Sequence, residues 1–253
     1  MTLAHKQRLA AHAFTLGALA LWLVYSRIVP PYQMPGPLPV ARGMASFFAD
    51  RLALGQLLLS LGHVAAAIAV SFLLGVGLAL LAHYVPVLRL LVYGRLTPFL
   101  NSFSGIGWPL LAVLWFGLND VTVIFAVSAV LLPFALVNMR EGLQSLDGEL
   151  LEMAQSFGRS RWGRFRKIVL PSLAPFMFAT LRVSFGVSWK VTLTAELFGG
   201  NGGLGYLVNV ARQEIDTALI FAAIALIVLF VHATDRYLLT PLQNHVFDRY
   251  RAL

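Results

Sequence analysis

Five stretches of this chain, residues 9–26, 52–88, 96–119, 121–139 and 217–234, contain no Asp, Glu, Lys or Arg. A sixth, 168–195, is interrupted only by Arg182 and Lys190. A helix needs about 20 apolar residues to cross the hydrocarbon layer of a bilayer, so each stretch is long enough for one crossing. The run 52–88 is too long for one helix and short for two with a turn. It reads as a short surface lead-in followed by a span at 60–83. The expected fold is therefore all-α, a polytopic integral membrane protein of about six transmembrane helices. A single domain covers 1–253: an N-terminal span and external Pro-rich loop (1–56), core spans (57–240) with a long loop at 140–167, and a tail (241–253). Ala18-Leu19-Ala20 has the small residues of a signal-peptide cleavage site. The apolar run continues through Leu21-Trp22-Leu23-Val24, which favours a retained span.

Charge supplies the orientation. Only 12% of residues are charged, against about 25% in soluble domains, so the net charge of +8 is not the basic face of a nucleic-acid binder. With the N-terminus inside, cytoplasmic segments hold 13 of the 19 Lys and Arg residues and external segments hold Arg27, Arg42, Arg51 and Arg212. That bias predicts a multi-pass protein with both termini cytoplasmic. There is no cysteine, which removes disulfides and thiolate metal sites.

The loop 140–167 is more ordered than a connector requires. Asp147 suits a helix N-cap and Glu149 its first turn. Leu143, Leu146, Leu150, Ala154 and Phe157 follow a helical period and form one apolar stripe, which Gly158 ends. A basic run from Arg159 to Lys167 follows. Such a helix can lie on lipid headgroups or dock on a protein, and the pattern alone allows both.

The string Glu152-Met153-Ala154-x3-Gly158-x9-Ile168-x-Leu170-Pro171 resembles the cytoplasmic "EAA" signature of ABC importer permeases. Met153 departs from it where the family usually has alanine. Residues 109–117 (Pro-Leu-Leu-Ala-Val-Leu-Trp-Phe-Gly), Ala195-Glu196 and Gly202-Gly203-Leu204-Gly205 resemble the nitrate/sulfonate/taurine branch. The resemblance covers roughly residues 57 to 235. It implies a type I importer permease in a bacterial inner membrane, with a coupling helix carrying Leu150, Glu152, Ala154, Phe157 and Gly158. The implied partners are ATP-binding cassette ATPase subunits that hold the ATP and Mg²⁺, a second copy of the permease and an external substrate-binding protein. The implied substrate is a small anion (a sulfonate, nitrate or bicarbonate) or a compact heterocycle such as a vitamin precursor.

No Gly-x4-Gly-Lys-Ser/Thr phosphate loop occurs, because none of the three lysines, Lys6, Lys167 and Lys190, follows a glycine. No nucleophile–base pair or carboxylate cluster suggests catalysis, and no cofactor is expected in this chain. His232 and Asp235, three apart, can share a helix face as an interfacial pair.

Ionisable groups at membrane depth cost about 2.5–3.5 kcal/mol each, so they face partners or cavities. Arg182, Gly186 and Lys190 lie on one helical stripe, with Trp189 beside Lys190 and Glu196 six residues further on. Arg182 and Lys190 are candidates for the solute pathway, Arg182 also for snorkelling or a packing pair. Lys190 and Glu196 could instead form the ion relay of a self-sufficient secondary transporter or channel. Asn101, Ser104 and Trp108, in a run rich in Gly and Ser that precedes Pro109, mark an interrupted helix of the kind that lines transport sites. Pro133 reads as a kink, residues 30–37 as an extended external loop, and the glycine-rich 199–205 as a flexible external turn and possible gate.

Overall fold

A computed structural model describes residues 3–146 and 161–243, and these form helices joined by short turns. The elements are α1 (Leu3–Ile28), α2 (Pro37–Ala49), α3 (Arg51–Tyr84), α4 (Pro86–Ser102), α5 (Gly107–Phe116), α6 (Asp120–Gln144), α7 (Phe165–Gly199), α8 (Leu204–Gln213) and α9 (Thr217–Gln243). Four of them, α3, α6, α7 and α9, are long and apolar enough to cross a membrane. The bent pair α4–α5 brings the number to as many as five.

The stretch 96–119, expected as one crossing, is broken: α4 and α5 meet at 93°. The break falls at Phe103–Ile106, inside the polar run that marked an interruption. Phe103 has extended backbone (φ −90°, ψ 138°), and Trp108 Nε1 donates to the Leu100 carbonyl at 3.2 Å, tying α5 back to α4. Phe99, Phe103 and Phe125 surround the Trp108 ring at centroid distances of 6.1, 5.1 and 6.2 Å. The chain then reverses at Gly117, whose φ of 77° suits glycine, and Asn119 caps α6 by accepting from Thr122 N at 3.0 Å.

No separate lead-in precedes the second span. Asp50 caps α3 by accepting from Leu52 N at 3.0 Å, and one helix of 34 residues follows, about 50 Å long. Its buried positions (Ser60, His63, Val64, Ala67, Ser71, Gly75, Ala79 and Ala82) make a narrow stripe of mostly small side chains. That stripe lets α3 approach α6 closely: a Cβ at Gly75 would lie 2.3 Å from Ala135 Cβ. Helix α6 is the hub. It packs on α3, α5 and α7, and 56% of its apolar window is buried, against 17–28% for the other three spans. Pro133 lies within α6 without ending it.

The external loop after α1 also departs from expectation. Only residues 30–36 form a turn, and Pro37 opens the 13-residue helix α2, a position where its fixed φ is favourable. Buried Val40 and Phe47 and the close approach of Gly43 to Ala222 seat α2 on α9. Trp22 of α1 stacks on Phe221 of α9 at 6.5 Å and donates to the Pro35 carbonyl at 3.0 Å. Many large apolar side chains face outward, among them Phe14, Leu73, Leu114, Trp115 and Val228, as befits a protein surrounded by lipid or a second copy.

Candidate translocation and coupling site

Near the C-terminal end of α7, Glu196 is 1% exposed, and its carboxylate is held from two other elements, α3 and α8. Ser60 Oγ and the Gly205 N–H donate to Oε2, each at 2.8 Å. His63 Nδ1 donates to Oε1 at 2.8 Å, and His63 Nε2 lies 3.3 Å from Asp120 Oδ1. Leu204 N–H donates to Ser60 Oγ at 2.8 Å, and Gly203 N–H to the Gln56 side-chain oxygen. A buried carboxylate without such donors would be costly, and this one is saturated on both oxygens.

The glycine run between α7 and α8 follows from this packing. A Cβ at Gly203 would sit 2.3–2.4 Å from the Glu196 carboxyl atoms, on backbone with φ +97°. One at Gly205 would meet the Leu193 carbonyl at 2.3 Å. Residues 202–205 are buried, so the expected flexible turn is instead folded tightly onto Glu196. The signal missed in the sequence is the polar series Gln56, Ser60, His63 at i, i+4, i+7 in an apolar run. That spacing places all three on one helix face, toward Glu196 and its loop.

Lys190 and Glu196 do not pair. Six residues along a helix is about 120° around its axis, and Lys190 is exposed while Glu196 is buried. Lys190 has no carboxylate oxygen within 4 Å among the described residues. It lines a cavity of about 390 Å³ between α7 and α9 with Trp189, Val228, His232 and Asp235. Trp189 is 2% exposed, and its indole N–H has no hydrogen-bond partner among the described residues. Arg182, by contrast, is engaged: Nε donates to Asp235 Oδ1 at 2.9 Å and an Nη to Oδ2 at 3.1 Å, with Thr240 and Gln243 alongside. Asp235 therefore belongs to Arg182 rather than to His232, and the bidentate pair ties α7 to the C-terminal part of α9.

Asn101 and Ser104 are exposed at the α4–α5 bend, whereas Trp108 is 3% exposed and anchors the aromatic packing of that bend. An apolar cavity of about 360 Å³ lies beside it, with Leu74, Phe125 and Leu132 in its walls. These three candidates belong to the bend, apart from the α7–α9 groove of Lys190. Leu150, Glu152, Ala154, Phe157 and Gly158 lie outside the described residues. The segments on either side of that loop meet, since Leu143 and Leu146 share a buried cluster with Phe165, Val169 and Leu173.

Long apolar helices, a broken span and buried polar clusters at membrane depth define a multi-pass membrane transport protein. The chain belongs to the family described as binding-protein-dependent transport system inner membrane component, whose profile matches residues 71–238. It is thus an ABC importer permease subunit. Among its relatives are two SsuC proteins, whose names assign them to aliphatic sulfonate transport. That of Escherichia coli is 33% identical over 125 residues, 49% of this chain and 48% of its own. That of Bacillus subtilis is 27% identical over 226 residues, 87% of this chain and 80% of its own. The riboflavin transport system permease protein RibX of Chloroflexus aurantiacus is 30% identical over 142 residues, 56% of this chain and 52% of its own. The fold is similar to a chain of the MetNI methionine ABC transporter solved in inward-facing conformations. The TM-score is 0.66 at 14% identity, over 77% of this chain and 96% of that one.

Proposed function

We propose that this permease, paired with a second copy, forms the membrane pathway through which a small organic anion of the sulfonate class enters a bacterial cell. An external binding protein delivers the solute. Two separate ATPase subunits, which bind ATP and Mg²⁺, drive the change between outward- and inward-open states through the loop 140–167. Both termini lie in the cytoplasm, in keeping with the distribution of Lys and Arg.

The observation that carries the anion assignment is Lys190: an exposed ammonium in a spanning helix, with no carboxylate oxygen within 4 Å among the described residues, in a cavity beside Trp189 and His232 where the Asp235 carboxylate is already bound by Arg182. A cation at such depth is stabilised by water or by an anion that passes it. The sulfonate names of two relatives support the same class. Arg182 is tied to Asp235 and serves packing in this state; Glu196 holds the outer loop.

The test is uptake by the permease–ATPase complex in proteoliposomes, driven by the binding protein. Lys190→Met should lower uptake of a sulfonate about tenfold or more, the value of one charge-assisted contact, with thermal stability unchanged and Lys190→Arg largely active. Unchanged sulfonate uptake in Lys190→Met removes Lys190 from the pathway. Transport of a neutral heterocycle, with no dependence on Lys190, would instead favour the vitamin-precursor class that the RibX name suggests.

A further inference from the structure

At the opposite end of the helices from Glu196, two arginines face one cavity with no acidic partner among the described residues. The cavity measures about 250 Å³ and is lined by His83 at the end of α3, Arg89 and Tyr93 of α4, and Arg140 and Gln144 at the end of α6. A second cavity of about 390 Å³ shares Arg89, Tyr93 and Arg140 with it. Neither Arg89 nor Arg140 has a carboxylate oxygen within 4 Å among the described residues, although Glu141 adjoins Arg140 in sequence. The Arg140 guanidinium lies over the Tyr93 ring, 4.8 Å from its centre, which orients it beside the cavity.

Helix dipoles explain part of this arrangement and oppose the rest. His83 and Arg140 stand near helix C-termini, where a positive charge is favourable. Arg89 stands in the first turn of α4, where it is not, and the residue before that helix, Val85, offers no side-chain cap. Two guanidiniums around one cavity repel each other. A tetrahedral oxoanion relieves that repulsion, accepts from both arginines and from the Tyr93 hydroxyl or Gln144 amide, and suits the start of α4.

We infer that His83, Arg89, Tyr93, Arg140 and Gln144 form a binding site for a phosphate-class oxoanion at the inner end of the permease. The anion is the headgroup phosphate of an anionic lipid or free phosphate from the cytoplasm. The site lies apart from the Lys190 groove, and its chemistry does not depend on the transported solute.

The experiment titrates the purified full-length chain in detergent with dioctanoyl phosphatidylglycerol, with inorganic phosphate, and with dioctanoylglycerol, which has the same chains without phosphate. Saturable binding of the phosphatidylglycerol is the expected result. It should be about tenfold weaker in Arg89→Gln and lost in Arg89→Gln/Arg140→Gln. Arg95→Gln removes the same charge outside both cavities and should bind like the parent. Binding of inorganic phosphate with the same dependence on Arg89 identifies the soluble anion as a ligand; binding of the lipid alone identifies the headgroup. The inference is overturned if neither ligand binds, if dioctanoylglycerol binds as well as the phospholipid, or if Arg95→Gln loses as much as Arg89→Gln. Arg89 is exposed and makes no side-chain hydrogen bond or ion pair among the described residues, so the single variant decides the matter should the double one fail to fold.

Discussion

Removing the Glu196 carboxyl should destabilise the permease far more than removing its charge. In Glu196→Ala, three buried donors lose their acceptor: Ser60 Oγ, His63 Nδ1 and the Gly205 N–H, each now bonded at 2.8 Å. An unsatisfied buried polar group costs about 1–3 kcal/mol, and the lost side chain leaves a void. Allowing for rotation of the serine and for water entering the void, the loss should be about 3–6 kcal/mol. Glu196→Gln keeps the volume. Its amide oxygen can take the place of Oε2 and still accept from Ser60 and Gly205. Its NH2 then faces His63 Nδ1, which accepts if the imidazole proton moves to Nε2, toward Asp120. The remaining loss is the charge assistance, about 1 kcal/mol. Thermal and denaturant unfolding of the purified chain, followed by tryptophan fluorescence, measures both. The reasoning is refuted if Glu196→Ala lies within about 1 kcal/mol of the parent, or if Glu196→Gln is as damaging as Glu196→Ala.

Gly203→Ala should fail more severely than an ordinary glycine substitution, because its Cβ would be driven into the Glu196 carboxylate on backbone with φ +97°. Little folded protein in detergent is the expected outcome, while Gly17→Ala, with open space around it, should be neutral in the same assay. For topology, a reporter fused after Gly163 should register as cytoplasmic and one after Asn201 as external; the reverse at either site contradicts the orientation. For coupling, Gly158→Val should reduce uptake several-fold while the chain still inserts, since a β-branched residue disfavours a helix C-terminus. Normal uptake together with normal ATPase association would remove the docking role from that loop.

How much of this was legible beforehand depends on what the sequence encodes locally. Spans are legible because hydrocarbon demands long uncharged runs, and the runs at 121–139 and 217–234 coincide with parts of α6 and α9. The bend at 103–106 was legible as composition, since Ser, Gly and Pro disrupt regular backbone bonding, but its 93° angle depends on how Trp108 packs against Phe99, Phe103 and Phe125. Helix α2 was hidden because a proline cluster signals an extended chain, while Pro37 lies at a helix N-terminus, where its fixed φ is favourable. The glycine run was misread for a related reason: glycine marks both flexible chain and chain that must pass close to something, and only the location of Glu196 separates the two.

The charges in α7 show where one-dimensional reading stops. Arg182, Lys190 and Glu196 look alike in sequence, each a costly group in an apolar run. The structure gives Arg182 a bidentate partner from α9, gives Glu196 donors from α3 and from its own following loop, and gives Lys190 a groove whose carboxylate, Asp235, is bound to Arg182. Helical phase separates Lys190 from Glu196, because 190 lies on the face of exposed Val183 whereas 196 shares the buried face of Ser188, Thr192 and Gly199. Phase separates Lys190 from Arg182 less, since eight residues place them about 80° apart around the axis. What separates them further is Asp235, 53 residues along the chain from Arg182, where α9 packs beside α7. A half-buried ion pair held by two hydrogen bonds resists displacement, whereas an unpartnered ammonium is open to a solute. Of the two cations, Lys190 is therefore the one on which the proposed anion pathway rests, and Arg182 is the one that ties α7 to α9.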